Sequence, residues 1–260
     1  MKRVKIAIAI VALALIGVIV WQVARQREPV YKGRTLTSWL RDDLDPNLEN
    51  HHGTYEALLQ IGTNGIPTYL RLLRKKDSAL KVKVIGWVDR QKLRKNPFIS
   101  AERWNAEGMK GFYLLRTNAR AAVPDLIEIA KQNISADSQE LAISSLGYIG
   151  PPAKAAVPFL LQTATNANYR LRYAAVWSLG KIHSDPSRVV PALTNALSDT
   201  NSVIVFTAAY GLGEFGPEAK PAVPYLLQQY ATNTDASMQL RVRMAPRAID
   251  PEAAAKAGIK

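Results

Sequence analysis

One pattern in this 260-residue chain constrains its fold more than any other: a sentence written three times between Ser138 and Gln229. The first copy reads Leu146-Gly147-Tyr148-Ile149-Gly150, then Ala153-Lys154-Ala155-Ala156-Val157-Pro158. The third reads Leu212-Gly213-Glu214-Phe215-Gly216, then Ala219-Lys220-Pro221-Ala222-Val223-Pro224. Between them lie Leu179-Gly180-Lys181-Ile182 and Val189-Val190-Pro191. Prolines 158, 191 and 224 are spaced by 33 and 33, and Val123-Pro124 stands 34 residues before Pro158. A fixed period of this size marks a stacked-helix solenoid.

Each unit holds two apolar helical runs. In the first, Ala142, Ala175 and Ala208 stand four residues before Leu146, Leu179 and Leu212, and Ile149, Ile182 and Phe215 follow three residues later. Spacings of three and four put these side chains on one helix face. Gly147, Gly180 and Gly213 form a further column; glycine costs a helix about 1 kcal/mol against alanine, so its recurrence predicts close backbone packing. Gly150 and Gly216 end the run in a left-handed conformation, and His183 takes that place in the middle copy. The second run opens with Val-Pro, because a proline in the first turn loses no hydrogen bond. Leu126, Leu160, Leu193 and Leu226 follow on its buried face. Glu128, Gln162, Asn195 and Gln228, four residues after each proline, face solvent or a partner.

The pattern Ala-x3-Leu-Gly-x-Ile-Gly-x2-Ala-x3-Val-Pro-x-Leu resembles a HEAT repeat, most nearly the short type associated with phycobilisome lyases. The match runs from Gln139 to Gln228 and is degenerate outside it. The resemblance implies an all-α chain, a right-handed α-solenoid whose second helices line a concave binding surface. It implies no activity, since most such proteins are scaffolds. On that basis Asp125, Glu128, Phe159, Gln162, Asn195, Tyr225 and Gln228 are the expected protein-binding residues, with Ala192 beside them. An aromatic-plus-amide surface suits protein contact better than phosphate contact.

Around the repeats the chain divides readily. Residues 1–5 are a short basic start, and residues 6–24 carry no charge. From Ile6 to Trp21 all sixteen are Ile, Val, Ala, Leu, Gly or Trp. About 17–25 apolar residues span a bilayer. A cleavable signal peptide wants small residues at −3 and −1, and Val23-x-Arg25 and Gln22-Val23-Ala24 do not supply them. The expectation is an uncleaved transmembrane signal-anchor. Lys2, Arg3 and Lys5 put its N-terminus in the cytoplasm and the solenoid outside, in the periplasm. Residues 25–53 read as a tether in which Leu36, Trp39 and Leu40 share one face of a short docking helix. Its Tyr-x-Gly-x2-Leu-x2-Trp-Leu resembles the juxtamembrane segment of some bacterial membrane-anchored HEAT-repeat proteins. The solenoid then covers 54–260: a cap repeat at 54–74, a basic insertion at 75–99, repeats at 100–229 and a C-terminal cap at 230–260.

Net charge is +13, yet residues 111–229 carry nine Lys/Arg against eight Asp/Glu. The excess lies earlier. Between 71 and 95 ten basic residues face only Asp77 and Asp89. Such a patch can bind anionic lipid or nucleic acid. An ordinary amphipathic helix that buries Val82, Ile85 and Val88 is the favoured reading.

Catalytic patterns are missing. The chain has no cysteine, which excludes disulfides, thiolate catalysis and Cys-type zinc sites. Asp43-x-Asp45-x-Asn47-x-Glu49 lacks the glycine and distal glutamate of a calcium loop, having Leu48 and Thr54 there. His51-His52 has no partner ligand, and His183-Ser184-Asp185 are consecutive, whereas triads assemble in space. The expectation is a non-enzymatic scaffold without cofactor or metal that binds a protein on its concave face. The alternatives are nucleic-acid binding through 71–95 and a lyase-type modifying enzyme.

Overall fold

A computed structural model of the chain describes residues 28–44, 52–90, 98–232, 239–240 and 242–259. The expected anchor at 6–24 and most of the acidic stretch 43–49 lie outside the described residues. Among the described residues no helix is long and apolar enough to cross a membrane.

The first described element corrects the expectation of a plain tether. Strands β1 (Val30–Tyr31) and β2 (Arg34–Thr35) pair antiparallel, with Val30 opposite Thr35. Lys32 and Gly33 between them both have positive φ, 47° and 73°, the geometry of a two-residue hairpin turn. Thr35 then caps α1 (Leu36–Asp43), its hydroxyl accepting from the Ser38 N–H. Leu36 and Leu40 are fully buried, and Trp39 Nε1 donates to the Tyr31 carbonyl at 3.1 Å.

The rest is helical. Successive pairs are α2 (His52–Ile61) with α3 (Ile66–Leu73), then, after α4 (Ala79–Arg90), α5 (Ala101–Leu115) with α6 (Val123–Lys131). Next come α7 (Ala136–Ile149) with α8 (Val157–Thr163), α9 (Tyr169–Ile182) with α10 (Pro186–Ala196), and α11 (Ser202–Phe215) with α12 (Val223–Thr232). Helices α13 (Met244–Ile249) and α14 (Pro251–Lys256) close the stack. Ser100, Ser135, Asn168 and Asn201 cap the starts of α5, α7, α9 and α11 through their side-chain oxygens.

The repeating apolar columns form the core. Ala142, Ala175, Ala208, Leu146, Leu179 and Leu212 are fully buried, as are Leu126, Leu160, Leu193 and Leu226. A Cβ on Gly180 would lie 2.9 Å from the Gly211 Cα, so α9 and α11 touch backbone to backbone. The same layer is tied by hydrogen bonds: Ser178 Oγ donates to the Ile143 carbonyl at 2.9 Å, and Ser138 Oγ to the Leu73 carbonyl at 2.6 Å. Arg170 bridges back one repeat to Asp137 (2.9 Å) and Glu140 (2.6 Å).

Three details differ from the sequence reading. Val123-Pro124, Val157-Pro158 and Val223-Pro224 open their helices after short 3-10 turns at 116–122, 151–156 and 216–222. In the middle repeat the helix begins at Pro186 instead, which leaves Pro191 inside α10. Asp185, Pro186 and their turn supply an earlier start, so the chain has no need of one at Val190. Pro246, which by its missing N–H reads as kinking or ending a helix that starts at Gln239, sits in the first turn of α13, where proline is tolerated. Val82, expected in the core, is 56% exposed; among the described side chains of that helix only Val88 is buried.

The ends of the first helices obey the expected rule. Gly150 (φ 75°), His183 (φ 48°) and Gly216 (φ 53°) all have positive φ. Arg116 stands in the equivalent place at φ 49°, ψ −129°, a region that glycine occupies without strain and a side chain does not. Arg116→Gly is therefore expected to raise unfolding stability by about 1 kcal/mol, read as a higher urea midpoint at unchanged m-value.

Candidate functional site

The residues singled out from the sequence sit on the second helices. Glu128, Gln162, Asn195 and Gln228 are all exposed, at matching places on α6, α8, α10 and α12. They do not form one surface. Phe159 and Gln162 line a groove of about 370 Å³ between α6 and α8, shared with Lys131 and Gln139. Asn195 and Tyr225 line another of about 530 Å³ between α10 and α12, with Pro191 and Glu218. Asp125 accepts an ion pair from Arg74 at 3.0 Å, and Glu128 accepts from Gln132 Nε2 at 2.9 Å. Asp125, Glu128 and Gln228 line neither groove.

The layers also differ in spacing. Helices α5, α7, α9, α11 and α13 pack on one another in sequence, with backbones in contact where small residues meet. The Val-Pro helices barely meet each other and are joined largely through the 3-10 turns. A stack of two layers bends toward the more tightly spaced one. The inner side therefore falls on the first helices, the reverse of the expectation from the resemblance.

That inner layer carries a run of rings. Tyr113 of α5 meets Tyr148 of α7 edge-on, centroids 5.1 Å apart at 81°. Tyr148 meets Trp177 of α9 at 4.8 Å and 66°. Trp177 rests over Gly147, where a Cβ would fall 2.4 Å from its ring; the glycine column leaves room for the indole. Lys181, one turn on, donates to the Tyr210 hydroxyl of α11 at 3.1 Å and lies 4.6 Å from its ring centre. Tyr113 and Tyr210 are each 45% exposed. Burial, then neighbouring Tyr113 and Tyr173, push the Tyr148 phenol up, so it stays neutral. Edge-to-face pairs of this kind add about 0.5–1.5 kcal/mol each beyond buried area.

At the N-terminal end the run opens into a pocket of about 510 Å³, walled by Tyr55, Leu58, Met109, Tyr113, Leu114 and Tyr148. Asp43, Glu107 and Lys110 form its polar edge. Lys110 Nζ bonds both Asp43 and Glu107 Oε1, the latter at 3.0 Å. Glu107 is 5% exposed, and its Oε2 has no hydrogen-bond partner among the described residues. Burial holds its pKa above the ordinary glutamate range, outweighing the pull of Lys110. Sequence reasoning missed this face because it searched the second helices. The signal was there: Trp177 and Tyr210 are one period apart.

His183 pairs with Glu218 at 3.7 Å and packs on Phe215, while Asp185 turns to Ser187 and Arg188, so His183-Ser184-Asp185 makes no relay. Among the described residues no three His, Cys, Asp or Glu side chains converge as metal ligands would.

Residues 123–187, from α6 to the start of α10, match the family model for HEAT repeats. A search of curated proteins finds no match. Among solved structures the chain is similar to the complex of CpcE and CpcF of phycocyanin lyase from Nostoc sp., at 20% identity and a TM-score of 0.49, over 70% of this chain and 97% of that one. It is also similar to a designed armadillo repeat protein in complex with the peptide (KR)4, at 13% identity and a TM-score of 0.51, over 83% of this chain and 99% of that one. The latter likeness shows the architecture, a helical repeat solenoid.

Glu107 makes a pH prediction. Its folded pKa is raised, so the folded state holds a proton that the unfolded state has already released. Stability then falls as pH rises from the ordinary glutamate range through the raised value. The urea midpoint of the wild-type chain, measured against that of Glu107→Gln from about pH 4 to pH 8, should fall as pH rises.

Proposed function

We propose that this chain is a non-catalytic HEAT-repeat scaffold, tethered to a membrane by residues 6–24, which binds a protein partner along the aromatic face of its first-helix layer. The observation that carries the reading is the continuous run Tyr113–Tyr148–Trp177, extended by Lys181 and Tyr210. Rigid rings present large contact area at little conformational cost, and such residues dominate protein interfaces. Four consecutive repeats offer them at helical intervals, which suits an extended segment or a helix of the partner better than a small molecule. The two grooves on the second helices are separate and flanked by amides, and they fit a secondary contact.

The tether is supported by the uncharged stretch 6–24 and the basic residues before it. In this reading the N-terminus is cytoplasmic and the solenoid lies across the membrane from it. The nucleic-acid alternative is less favoured, since Arg71, Arg74 and Lys81 are committed to Glu28, Asp125 and Asp77.

Two measurements test this. Crosslinking mass spectrometry in intact cells should recover a protein partner with the wild-type chain and lose it with Tyr113→Ala/Tyr210→Ala, two exposed positions whose truncation spares the core. Recovery unchanged by that pair would remove the aromatic face as the docking surface. Because the chain has no cysteine, Ser187→Cys on exposed α10 gives a single reporter. A membrane-impermeant maleimide added to intact cells should label it; protection until lysis would reverse the topology.

A further inference from the structure

Among the described helices, α4 alone packs extensively against no other element. Its inner side is held by buried Val88 and by Lys81, whose Nζ bonds Asp77 at 2.5 Å and the Ile99 carbonyl at 2.9 Å. Its outer side is open. Leu80 is 73% exposed and Trp87 58%, with half-buried Val84 between them at helical spacing and exposed Lys83 and Arg90 alongside. An apolar stripe flanked by lysine and arginine is the make-up of a helix that lies in a membrane interface.

Charge and position say what covers it. Lys76 and Lys83 have no acidic partner among the described residues, and Asp77 is already used by Lys81 and the Ala101 N–H at the start of α5. Lys75 has its charged form disfavoured by burial and then by neighbouring Lys81 and Arg71. The surface is thus electropositive and attracts anions. The described chain begins at this same place. Glu28 accepts from the Thr37 N–H at 3.1 Å and pairs with Arg71, and its charge reaches Lys75. The uncharged stretch ends at Ala24, four residues earlier, a reach of at most about 14 Å. An anchor at 6–24 therefore brings the bilayer surface to within about 14 Å of Glu28, beside Arg71 and Lys75, which lead into α4.

We propose that α4 lies on an anionic bilayer, with Leu80, Val84 and Trp87 at the boundary between headgroups and acyl chains and Lys76, Lys83 and Arg90 on lipid phosphates. The inference rests on the reading of 6–24 as an anchor. It adds a second attachment that fixes the tilt of the solenoid, where a tether alone would leave it free to swing.

The test uses the full chain with Ala79→Cys, an exposed position beside Leu80, labelled with the fluorophore NBD. It is reconstituted into vesicles of phosphatidylcholine, or of equal parts phosphatidylcholine and phosphatidylglycerol. The expected result is blue-shifted emission, quenched by doxyl-labelled lipid, in the anionic vesicles. Both effects should be weaker in pure phosphatidylcholine and lost in Lys76→Glu/Lys83→Glu, while a label at Ser187→Cys stays in water throughout. Emission at 79 that reports water in anionic vesicles overturns the proposal. So does a blue shift that doxyl-labelled lipid fails to quench, which would mean that protein covers the stripe, or a shift indifferent to lipid charge. The anchor is scored separately by alkaline extraction. If the chain washes off, that reading falls, and the label still reports whether α4 meets added vesicles.

Discussion

The structure depends on how closely its first helices approach. Gly180 and Gly211 meet with no side chain between them, and the buried alanines at 142, 175 and 208 keep the same layer tight. The second helices stand farther apart, joined largely through the 3-10 turns. A stack with one tight and one loose layer must curve, and the curve decides which residues look inward. No single repeat can bury its own apolar face, so each contact of this kind also supplies the core of its neighbour. The strength of the array is accordingly a property of its interfaces rather than of any one helix pair.

A stack built this way has two ends to protect. At the start, α1 and the small hairpin before it lay Leu36 and Leu40 into the core beside α2 and α3. Asn105, fully buried, reaches back from α5 to donate to the carbonyls of Leu72 (2.7 Å) and Leu73 (3.0 Å), closing the C-terminal end of α3. At the far end Ala245 of α13 packs on Gly213, continuing the rule of small residues between first helices, and Asp250 caps α14 through the Ala253 N–H. The insertion at 75–99 between the cap repeat and the next one is accommodated because α3 packs directly on α5, leaving α4 outside the array.

Surface chemistry follows this geometry. The repeats are nearly neutral, so their exposed inner face is distinguished by rings rather than by charge. The basic surface lies at the other end of the logic, beside the residues that leave the uncharged N-terminal stretch. One molecule thus presents two different surfaces: an aromatic one distributed over several repeats, and a basic one local to α4 and its neighbours. The pocket under Tyr55 and Tyr148 joins the aromatic run to a buried carboxylate, the least compensated charge on that face.

Much of this was legible in one dimension. The period of 33, the buried columns of Ala, Leu and Ile, the positive φ at His183 and the Asp250 cap all follow from local rules that each residue obeys whatever its neighbours do. The hairpin at Lys32-Gly33 was also a local feature, but two residues of strand on either side carry too little pattern to announce it. Other features were settled only in three dimensions. The apolar spacing of α4 shows which side would bury, yet whether anything arrives to cover it depends on where α3 and α5 meet. Trp177 and Tyr210 share one repeat position, but Tyr113 and Tyr148 stand elsewhere in their repeats, so periodicity alone could not gather all four rings; adjacency of separate helices did. Which layer faces inward was likewise beyond the sequence, because it turns on the difference between two helix spacings, and a spacing belongs to a pair of repeats rather than to either one.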